Sequence, residues 1–200
     1  MPSKPENVFT VAHRVSEEDR THANRHRGGI LWFTGLSGAG KSTLAIELER
    51  ALFARRYQVY TLDGDNVRQG LSADLGFSHE DRSENIRRIG EVAALFAEAG
   101  FVVITAFISP YRADRERIRA AHPEYFNEIH ISAPLAVCEA RDAKGLYRRA
   151  RAGELKDFTG VSAPYEPPAA PELDVQSGAK PVEACLADLL GFVERRLSLK

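Results

Sequence analysis

The sequence contains little sulfur and no long apolar segment. Of its 200 residues, only 2 are cysteine and 1 is methionine. Cys138 and Cys185 are too few for a disulfide scaffold and do not form a CxxC pair, so we expect a reducing, cytoplasmic environment. Residues 1–19 lack the apolar core of a secretion signal, and nothing approaches the roughly 20 apolar residues of a membrane span. We therefore expect no membrane association.

An excess of either charge is also absent. Lys and Arg total 27 against 28 Asp and Glu, which gives a formal net charge of −1. Proteins dedicated to nucleic acid are usually strongly basic, so this balance argues against such a partner. His22 and His26 are four residues apart, but no further ligand nearby completes a metal site. Hydrophobic residues make up 44% and charged residues 28%, which is typical of a globular domain.

Short apolar runs alternate with segments of helical periodicity. The run Gly29–Thr34 predicts a strand buried on both faces. Strands that alternate with helices predict an α/β fold with a mostly parallel sheet and helices on both faces. Residues 1–28 are expected to form an arm or short lead-in helix before one domain at 29–200. Further strands are predicted at 57–62, 101–107 and 126–131, and helices at 42–56, 82–99, 113–121, 134–141 and 181–197.

A complete phosphate-binding motif lies between the first strand and the first long helix. Its glycines allow backbone N–H groups to surround phosphate oxygens, at a helix N-terminus whose dipole favours anions. Lys41 is expected to contact the β- and γ-phosphates, the Ser42 hydroxyl to bind Mg²⁺, and Thr43 to add a nucleotide contact. The motif thus predicts a P-loop NTPase fold that binds a nucleoside triphosphate. The motif G-x-x-x-x-G-K-[ST] is matched by Gly35, Leu36, Ser37, Gly38, Ala39, Gly40, Lys41 and Ser42.

Two carboxylates after the second strand narrow the type of NTPase. No Asn-Lys-x-Asp guanine-binding string occurs, and the third strand ends in Thr105-Ala106-Phe107 rather than in an aspartate. The acids instead follow the second strand, as Asp63 and Asp65. Carboxylates at the carboxyl end of a parallel strand lie in the crevice where ligands bind. This arrangement favours a small-molecule kinase over a GTP-driven switch.

Several further motifs resemble those of the adenylylsulfate kinases (APS kinases). The resemblance covers about residues 27–195 in order and in register, and implies the stand-alone form with no sulfurylase domain. The motifs are Leu62–Leu71 (LDGDNVRQGL), Asp74–Ser78 (DLGFS), Asp81–Arg88 (DRSENIRR), Phe107–Arg112 (FISPYR), Arg141–Tyr147 (RDAKGLY), Phe158–Gly160 (FTG) and Pro164–Pro168 (PYEPP).

The resemblance implies a nucleotide-kinase-like fold with a mobile lid and a defined reaction. The γ-phosphate of ATP would pass to the 3′-hydroxyl of adenosine 5′-phosphosulfate (APS), giving 3′-phosphoadenosine 5′-phosphosulfate (PAPS) and ADP. Phe77 and Phe158 would hold the adenine of APS between them. Arg68, Arg82 and Lys144 would meet or surround the phosphosulfate. The remaining expected contacts are Asn85, Ile108 and Ser109 for APS, and Arg141 for the adenine of ATP.

The catalytic roles are expected to fall on the carboxylates and on Lys41. Asp65 would orient or deprotonate the 3′-hydroxyl while Asp63 holds Mg²⁺ through water, although two carboxylates so close in sequence could exchange these roles. Lys41 and Mg²⁺ would stabilise charge on the transferred phosphoryl group. The resemblance implies a phosphoserine at Ser109 as one route, direct transfer is another, and capping of the next helix is a third role for that residue.

A basic segment follows the fourth strand and its helix. A lid is expected at about residues 144–171, with its cations between Arg141 and Lys156, and it would close over the nucleotides to exclude water. A solvated basic helix is the alternative interpretation. Residues 146–171 are expected to be mobile because they are rich in arginine, glycine and proline.

Two rival functions stay open at the level of sequence. One is a P-loop kinase for another small molecule, such as a nucleoside or a shikimate-like acceptor. The other is a non-catalytic nucleotide-binding regulator. The family resemblance further implies a homodimer, with small-molecule partners only.

Overall fold

Strands and helices alternate along most of the chain. The structure is a computed structural model that describes residues 9, 11 and 13–199, so residues 1–8, 10 and 12 of the predicted arm, and Lys200, lie outside the described residues. The elements are α1 (Glu17–Asn24), β1 (Gly29–Thr34), α2 (Lys41–Ala54), β2 (Val59–Asp63), α3 (Gly64–Val67), α4 (His79–Glu98), β3 (Val102–Ala106), α5 (Arg112–Ala121), β4 (Phe126–Ile131), α6 (Leu135–Arg141), α7 (Leu146–Arg151), β5 (Leu173–Val175) and α8 (Val182–Leu197).

These strands form a five-stranded sheet in the order β2-β3-β1-β4-β5. Every pairing is parallel, and β1 pairs with β3 on one side and with β4 on the other. The strands therefore end at a common edge, where α/β proteins bind ligands. The predicted α/β fold with a parallel sheet is confirmed.

Helices cover both faces of the sheet, and the side chains of β1 alternate between them. Leu31 and Phe33 pack in a core with α2 and α8, whereas Ile30 and Trp32 pack in a second core with α4 and α5. All six residues of β1 are buried. Burial on both faces explains the uninterrupted apolar run, since each fully buried side chain of this size contributes about 1.5–3 kcal/mol.

Long apolar runs were easier to predict than short elements. β1 and β4 occupy the predicted residues. The prediction that the long central helix starts at 82 was wrong, because α4 begins at His79, where the Ser78 hydroxyl accepts the N–H of Asp81 at 3.1 Å. The short helix α3 was not predicted, and its N-cap is the Asp63 side chain, which accepts the N–H of Asp65 at 3.0 Å.

The segment predicted to be mobile contains regular structure, and a strand follows it. Helix α7 starts after Gly145, and the Asp142 carboxylate caps it by accepting the N–H groups of Tyr147 and Arg148, each at 3.0 Å. Strand β5 follows the proline-rich stretch and extends the sheet beyond β4. These side-chain caps and short pairings leave no periodic signal in the sequence. Among the described residues, no helix combines the length and apolar character that a membrane crossing requires.

The end of the predicted arm is docked on the domain through a buried histidine. His26 is 2% exposed, its Nε2 accepts the N–H of Gln58 at 2.9 Å, and its Nδ1 donates to the carbonyl of Arg27 at 3.0 Å. Its ring stacks on Tyr57, whose hydroxyl lies 2.6 Å from that of Ser198. An acceptor nitrogen carries no proton, so this geometry requires a neutral imidazole. The sheet edge, the arm and the C-terminus therefore meet at one uncharged side chain.

We predict that acid weakens the fold through His26. Burial lowers the pKa of His26 below its ordinary value of 6.5, so the folded state disfavours the charged ring. The neutral His26 contributes its full share of the free energy of unfolding at pH values above the pKa that it has in the unfolded chain. That contribution declines as the pH falls below this value toward the lower pKa of the folded chain. Urea titrations of the native chain and of His26→Gln, which does not titrate, should show a larger loss between pH 7.5 and 5.5 for the native chain. Equal losses would contradict this.

Candidate active site

The phosphate loop leaves the carboxyl end of β1 in a conformation that requires glycine. A Cβ on Gly35 would lie 2.4 Å from the carbonyl oxygen of Ile131, which is far inside contact distance. Gly38 has a φ of +75°, in the left-handed region. The side chain of Ser177 supports the loop from beneath by donating to the carbonyl of Ala39 at 2.6 Å. Residues 35–43 thus form the predicted cradle at the N-terminus of α2.

Lys41 is held inside this cradle. Its ammonium donates to the carbonyls of Gly35 at 2.9 Å and Leu36 at 2.7 Å, and the residue is 8% exposed. Burial lowers the pKa of Lys41 to about 8, with a nearby carboxylate, Asp63, acting in the opposite direction. The amine therefore lies within the loop predicted to bind phosphate, and burial brings its pKa close to physiological pH.

The two predicted carboxylates have different partners. Both carboxylate oxygens of Asp63 accept a hydrogen bond within the protein, one from the Ser42 hydroxyl at 2.8 Å and the other from the N–H of Asp65 at 3.0 Å. The Asp65 carboxylate is exposed and accepts from the Lys144 ammonium at 2.6 Å. Asp63 thus lies against the phosphate loop, whereas Asp65 projects toward the base of the expected lid.

The Ser42–Asp63 pair meets the chemical requirements of a Mg²⁺ site. A hydroxyl and a carboxylate oxygen 2.8 Å apart are the hard oxygen ligands that Mg²⁺ prefers alongside water and phosphate oxygens. Both flank the N-terminus of α2, next to the position where phosphates would lie. The residues present therefore fit the metal expected from the sequence.

The RDAKGLY motif forms the root of the expected lid and ties it to the phosphate loop. Arg141 donates to the carbonyls of Gly38 at 3.2 Å and Ser177 at 2.6 Å. The Tyr147 hydroxyl donates to the carbonyl of Ser37 at 2.9 Å. Cavities of about 490 Å³ and 510 Å³ open beside these contacts. The first is lined by Leu36, Leu135 and residues 160–165, and the second by residues 140–145 and Arg148.

Arg82 connects the two aromatic residues predicted to hold adenine. Its guanidinium donates to the carbonyl of Phe77 at 2.9 Å, to the carbonyl of Asp157 at 2.7 Å and to the Thr159 hydroxyl at 3.1 Å. Three of its five N–H groups are therefore committed to protein oxygens, one on Phe77 and two on the residues that flank Phe158. Arg82 thus positions Phe77 and Phe158 rather than projecting freely into the site.

The Phe77 ring is accessible and carries a cation on one side. It is 67% exposed, and the guanidinium of Arg68 lies 4.4 Å from the ring centroid. Arg68 is fixed there by donating to the carbonyls of Leu75 at 3.2 Å and Gly76 at 2.9 Å, and burial lowers its pKa. Phe158 is partly buried and meets Tyr147 edge-on, with the ring centroids 5.1 Å apart. An exposed aromatic face beside a fixed cation suits a planar, anionic ligand.

Asn85 carries an unsatisfied acceptor. The residue is 4% exposed on α4, and its Oδ1 has no hydrogen-bond partner. A buried carbonyl oxygen without a donor is costly, so such a group commonly marks a position that a ligand or water completes.

Ser109 lies in the loop that follows β3, with its hydroxyl turned inward. It is 2% exposed, and its Oγ accepts from the indole N–H of Trp32 at 3.1 Å. Its φ of +40° is unusual for a residue with a side chain. The capping role considered for Ser109 was wrong, because α5 has Tyr111 as its N-cap residue and no side-chain cap. The preceding carbonyl, that of Ile108, accepts from the Thr34 hydroxyl at 2.7 Å.

Several residues that support the site were not predicted. They are Thr34, Asp142, Tyr165 and Ser177, each of which contacts the backbone or a side chain of a predicted residue or its neighbour. Thr34 offered a signal, because it is a hydroxyl residue at the end of an otherwise apolar strand. Asp142 and Tyr165 lie within motifs that resemble the family, although neither was assigned a role.

Comparisons with known proteins agree with this geometry. A family model described as "Adenylylsulphate kinase" matches residues 27–176. The adenylyl-sulfate kinase of Acaryochloris marina is 54% identical over 197 residues, which is 98% of this chain and 96% of that protein. The chain belongs to the adenylylsulfate kinase family. The predicted kinase activity is thereby confirmed, and the two rival functions are set aside.

Solved structures of APS kinases extend the similarity to the fold. The Mycobacterium tuberculosis APS kinase, in complex with AMPPNP and APS, has a TM-score of 0.81 and 44% identity, and the match covers 84% of this chain and 98% of that one. A hexameric APS kinase from Thiobacillus denitrificans has a TM-score of 0.66 and 34% identity, with coverage of 86% of this chain and 30% of that one. The P-loop fold predicted from the sequence is confirmed.

We predict that ATP binding weakens in alkali because Lys41 loses its proton. The pKa of Lys41 is about 8 and the phosphates of ATP are already ionised, so the dissociation constant should rise roughly tenfold by pH 9. Isothermal titration calorimetry from pH 7 to 9.5 measures this. Lys41→Arg is the control, since its guanidinium stays charged and its affinity, though lower, should not vary with pH. A pH-independent affinity in the native chain would contradict the assignment.

Proposed function

We propose that this APS kinase family member transfers the γ-phosphate of ATP directly to the 3′-hydroxyl of APS, giving PAPS and ADP. The observation that carries the proposal is the division of the two carboxylates. The Asp63 carboxylate accepts from the Ser42 hydroxyl beside the phosphate loop, and the Asp65 carboxylate accepts from the Lys144 ammonium at the start of the expected lid. One carboxylate is thus available for the donor and one for the acceptor. The related enzyme from Mycobacterium tuberculosis was solved with both AMPPNP and APS.

On the donor side, the phosphate loop would bind the triphosphate through its backbone N–H groups. Lys41 would exchange its bonds with the carbonyls of Gly35 and Leu36 for bonds with phosphate oxygens. Ser42 and Asp63 would hold Mg²⁺, which supplies positive charge to the phosphates when bound. Arg141 donates to the carbonyl of Gly38, and it would hold the phosphate loop in place while bordering the adenine of ATP.

On the acceptor side, the adenine of APS would stack against Phe77 and Phe158, which Arg82 links. The unsatisfied Oδ1 of Asn85 would accept a hydrogen bond from the nucleotide. Arg68 and Lys144 would neutralise the phosphosulfate. The backbone of Ile108 and Ser109, at the carboxyl end of β3, would form the floor of this pocket.

Asp65 is the better placed of the two carboxylates to act on the 3′-hydroxyl. Both oxygens of Asp63 already accept hydrogen bonds, whereas the described partner of Asp65 is the exposed and displaceable Lys144. Lys144 would leave Asp65 as the anionic substrate enters and attracts its charge. Asp65 could then accept or orient the hydroxyl proton while the phosphoryl group moves in line.

Direct transfer fits the environment of Ser109 better than a phosphoserine route. Its hydroxyl is buried and accepts a hydrogen bond from Trp32, so a phosphoryl group there would displace the indole from a packed core. Attack on ATP by this hydroxyl would also need a base, and no carboxylate contacts it among the described residues.

The proposal includes a cytoplasmic homodimer. Cys138 and Cys185 are both free and buried and form no disulfide, which is the usual state of cysteines in a reducing compartment. A relative, the hexameric enzyme of Thiobacillus denitrificans, self-associates. Light scattering coupled to gel filtration would measure the subunit number.

We predict that Asp65→Asn removes turnover and spares ATP binding. A coupled assay should detect ADP release by the native chain only when APS is added to Mg²⁺ and ATP. In Asp65→Asn, kcat should fall by roughly 10²–10⁴-fold, the usual effect of losing a proton-transfer group, while the Kd for ATP changes little.

Asp63→Asn is the matched control two residues away. It should raise the Mg²⁺ concentration needed for half-maximal activity, because it alters the Ser42–Asp63 pair. If Asp63→Asn lost turnover and Asp65→Asn needed more Mg²⁺, the two carboxylates would exchange roles. Full turnover by Asp65→Asn would exclude Asp65 as the base. Absence of APS-dependent ADP release from the native chain would overturn the proposed function.

A further inference from the structure

Arg115, on α5, is a fully buried cation that the reaction described above does not use. The residue is 1% exposed, and its guanidinium donates to three oxygens from three separate parts of the chain. These are the Glu128 carboxylate at 2.6 Å, the carbonyl of Ser109 at 2.5 Å and the carbonyl of Glu166 at 2.7 Å. Burying a charge carries a large desolvation cost. The guanidinium of Arg115 and its three hydrogen bonds, which we call the fork, therefore call for an explanation.

Two of these acceptors belong to segments beside the site. Ser109 is in residues 107–110, which we call the site loop, and Glu166 is in residues 164–167, which we call the strap. The strap lies near the C-terminal end of the expected lid, and its Pro164 and Tyr165 line the cavity next to Leu36 of the phosphate loop. Arg115 therefore connects the end of the lid to the floor of the acceptor pocket.

Further hydrogen bonds hold the strap on the site loop around Arg115. The N–H of Glu166 donates to the carbonyl of Pro110 at 2.9 Å, and its carboxylate accepts the N–H of Arg112 at 2.7 Å. The Arg112 side chain donates to the carbonyl of Pro167 at 3.0 Å. The strap is thus held against the site loop and the start of α5 by these hydrogen bonds, and the guanidinium of Arg115 bonds to both the strap and the site loop.

The same assembly reaches the phosphate loop through Tyr165. The Tyr165 hydroxyl lies 3.1 Å from the Thr34 hydroxyl, which donates to the carbonyl of Ile108 at 2.7 Å. Thr34 directly precedes Gly35. A displaced strap would therefore shift the site loop at Ile108, whereas the phosphate loop keeps its separate support from Ser177.

Ser109 shows why the site loop needs external support. Its positive φ of +40° is unfavourable for a residue with a side chain, and such conformations persist only where surrounding contacts impose them. Arg115 holds the carbonyl of this residue, and Trp32 holds its hydroxyl. Removal of the guanidinium would release the backbone bond and let the loop relax.

We propose that Arg115 is a positioning residue that, through its fork to Ser109, Glu166 and Glu128, keeps the site loop and the strap in the arrangement that binds the acceptor nucleotide. This inference rests on the proposed function, because it assigns the site loop to the APS pocket. It predicts that disturbing the fork weakens APS binding and turnover while ATP binding is retained.

The test is Arg115→Lys, which keeps a buried positive charge for Glu128 but cannot reach three acceptors. We expect the KM for APS to rise about tenfold and kcat to fall, as for the loss of a charged hydrogen bond, with the Kd for ATP within twofold. Arg119→Lys is the matched control. Arg119 lies one helical turn away and also pairs with Glu128, but its described partners include no atom of the site loop or strap. Its KM for APS should stay within twofold.

Hydrogen exchange supplies a readout that needs no activity. The backbone N–H of Glu166 donates to Pro110, and that of Arg112 donates to the Glu166 carboxylate, so both bonds need the strap in place. Both amides should therefore exchange faster in Arg115→Lys than in the native chain and in Arg119→Lys. If the native chain shows no APS-dependent activity, the proposed function fails, whereas this exchange result still decides whether Arg115 positions the strap.

Tyr165→Phe keeps the test decisive if Arg115→Lys does not fold. It deletes one hydroxyl and detaches the strap from Thr34, so the KM for APS should rise about threefold while the Kd for ATP stays unchanged. An unchanged KM for APS in either folded variant would overturn the inference. An equal rise in Arg119→Lys would also overturn it, because the effect would then follow the ion-pair network and not the fork.

Discussion

The parallel pairing of β3 with β1 on one side and with β2 on the other is the constraint on which the site depends. It brings the carboxyl ends of these three strands to one edge, so the phosphate loop, the carboxylates at the end of β2 and the site loop after β3 become neighbours. Two packed cores, one on each face, hold β1 in place. The chemistry is therefore positioned by strands buried on both sides, and the loops carry the reacting groups.

Positive charge is concentrated around the site, although the chain as a whole is nearly neutral. The formal net charge of −1 conceals a site in which cations predominate around two carboxylates with separate partners. Lys41 is held by carbonyls, and Arg68 is held by carbonyls beside an aromatic ring, whereas Lys144 forms an exposed pair with the Asp65 carboxylate. A site of this kind suits two small anionic nucleotides that must meet with their reacting groups in line.

Sequence reasoning predicted the features that rest on apolar runs and on motifs. β1 and β4 were predicted at their observed residues because a strand buried on both faces leaves an unmistakable run. β5 was missed because three residues next to prolines give no period. A helix in the segment that contains α7 was only the alternative interpretation, because six residues are too few to show a helical period. The contacts of Arg82 and Arg115 were beyond prediction, since their partners are mostly backbone carbonyls, which carry no sequence signal.

The central claim is that this edge holds two nucleotides for direct transfer. A rapid-quench single turnover with ATP labelled with ³²P at the γ-position, excess enzyme and APS tests it most directly. The account predicts that label leaves ATP and enters PAPS with one rate constant, and that none becomes covalently attached to the protein at any time. Label that appears on Ser109 before PAPS forms, and then decays as PAPS accumulates, would contradict the account.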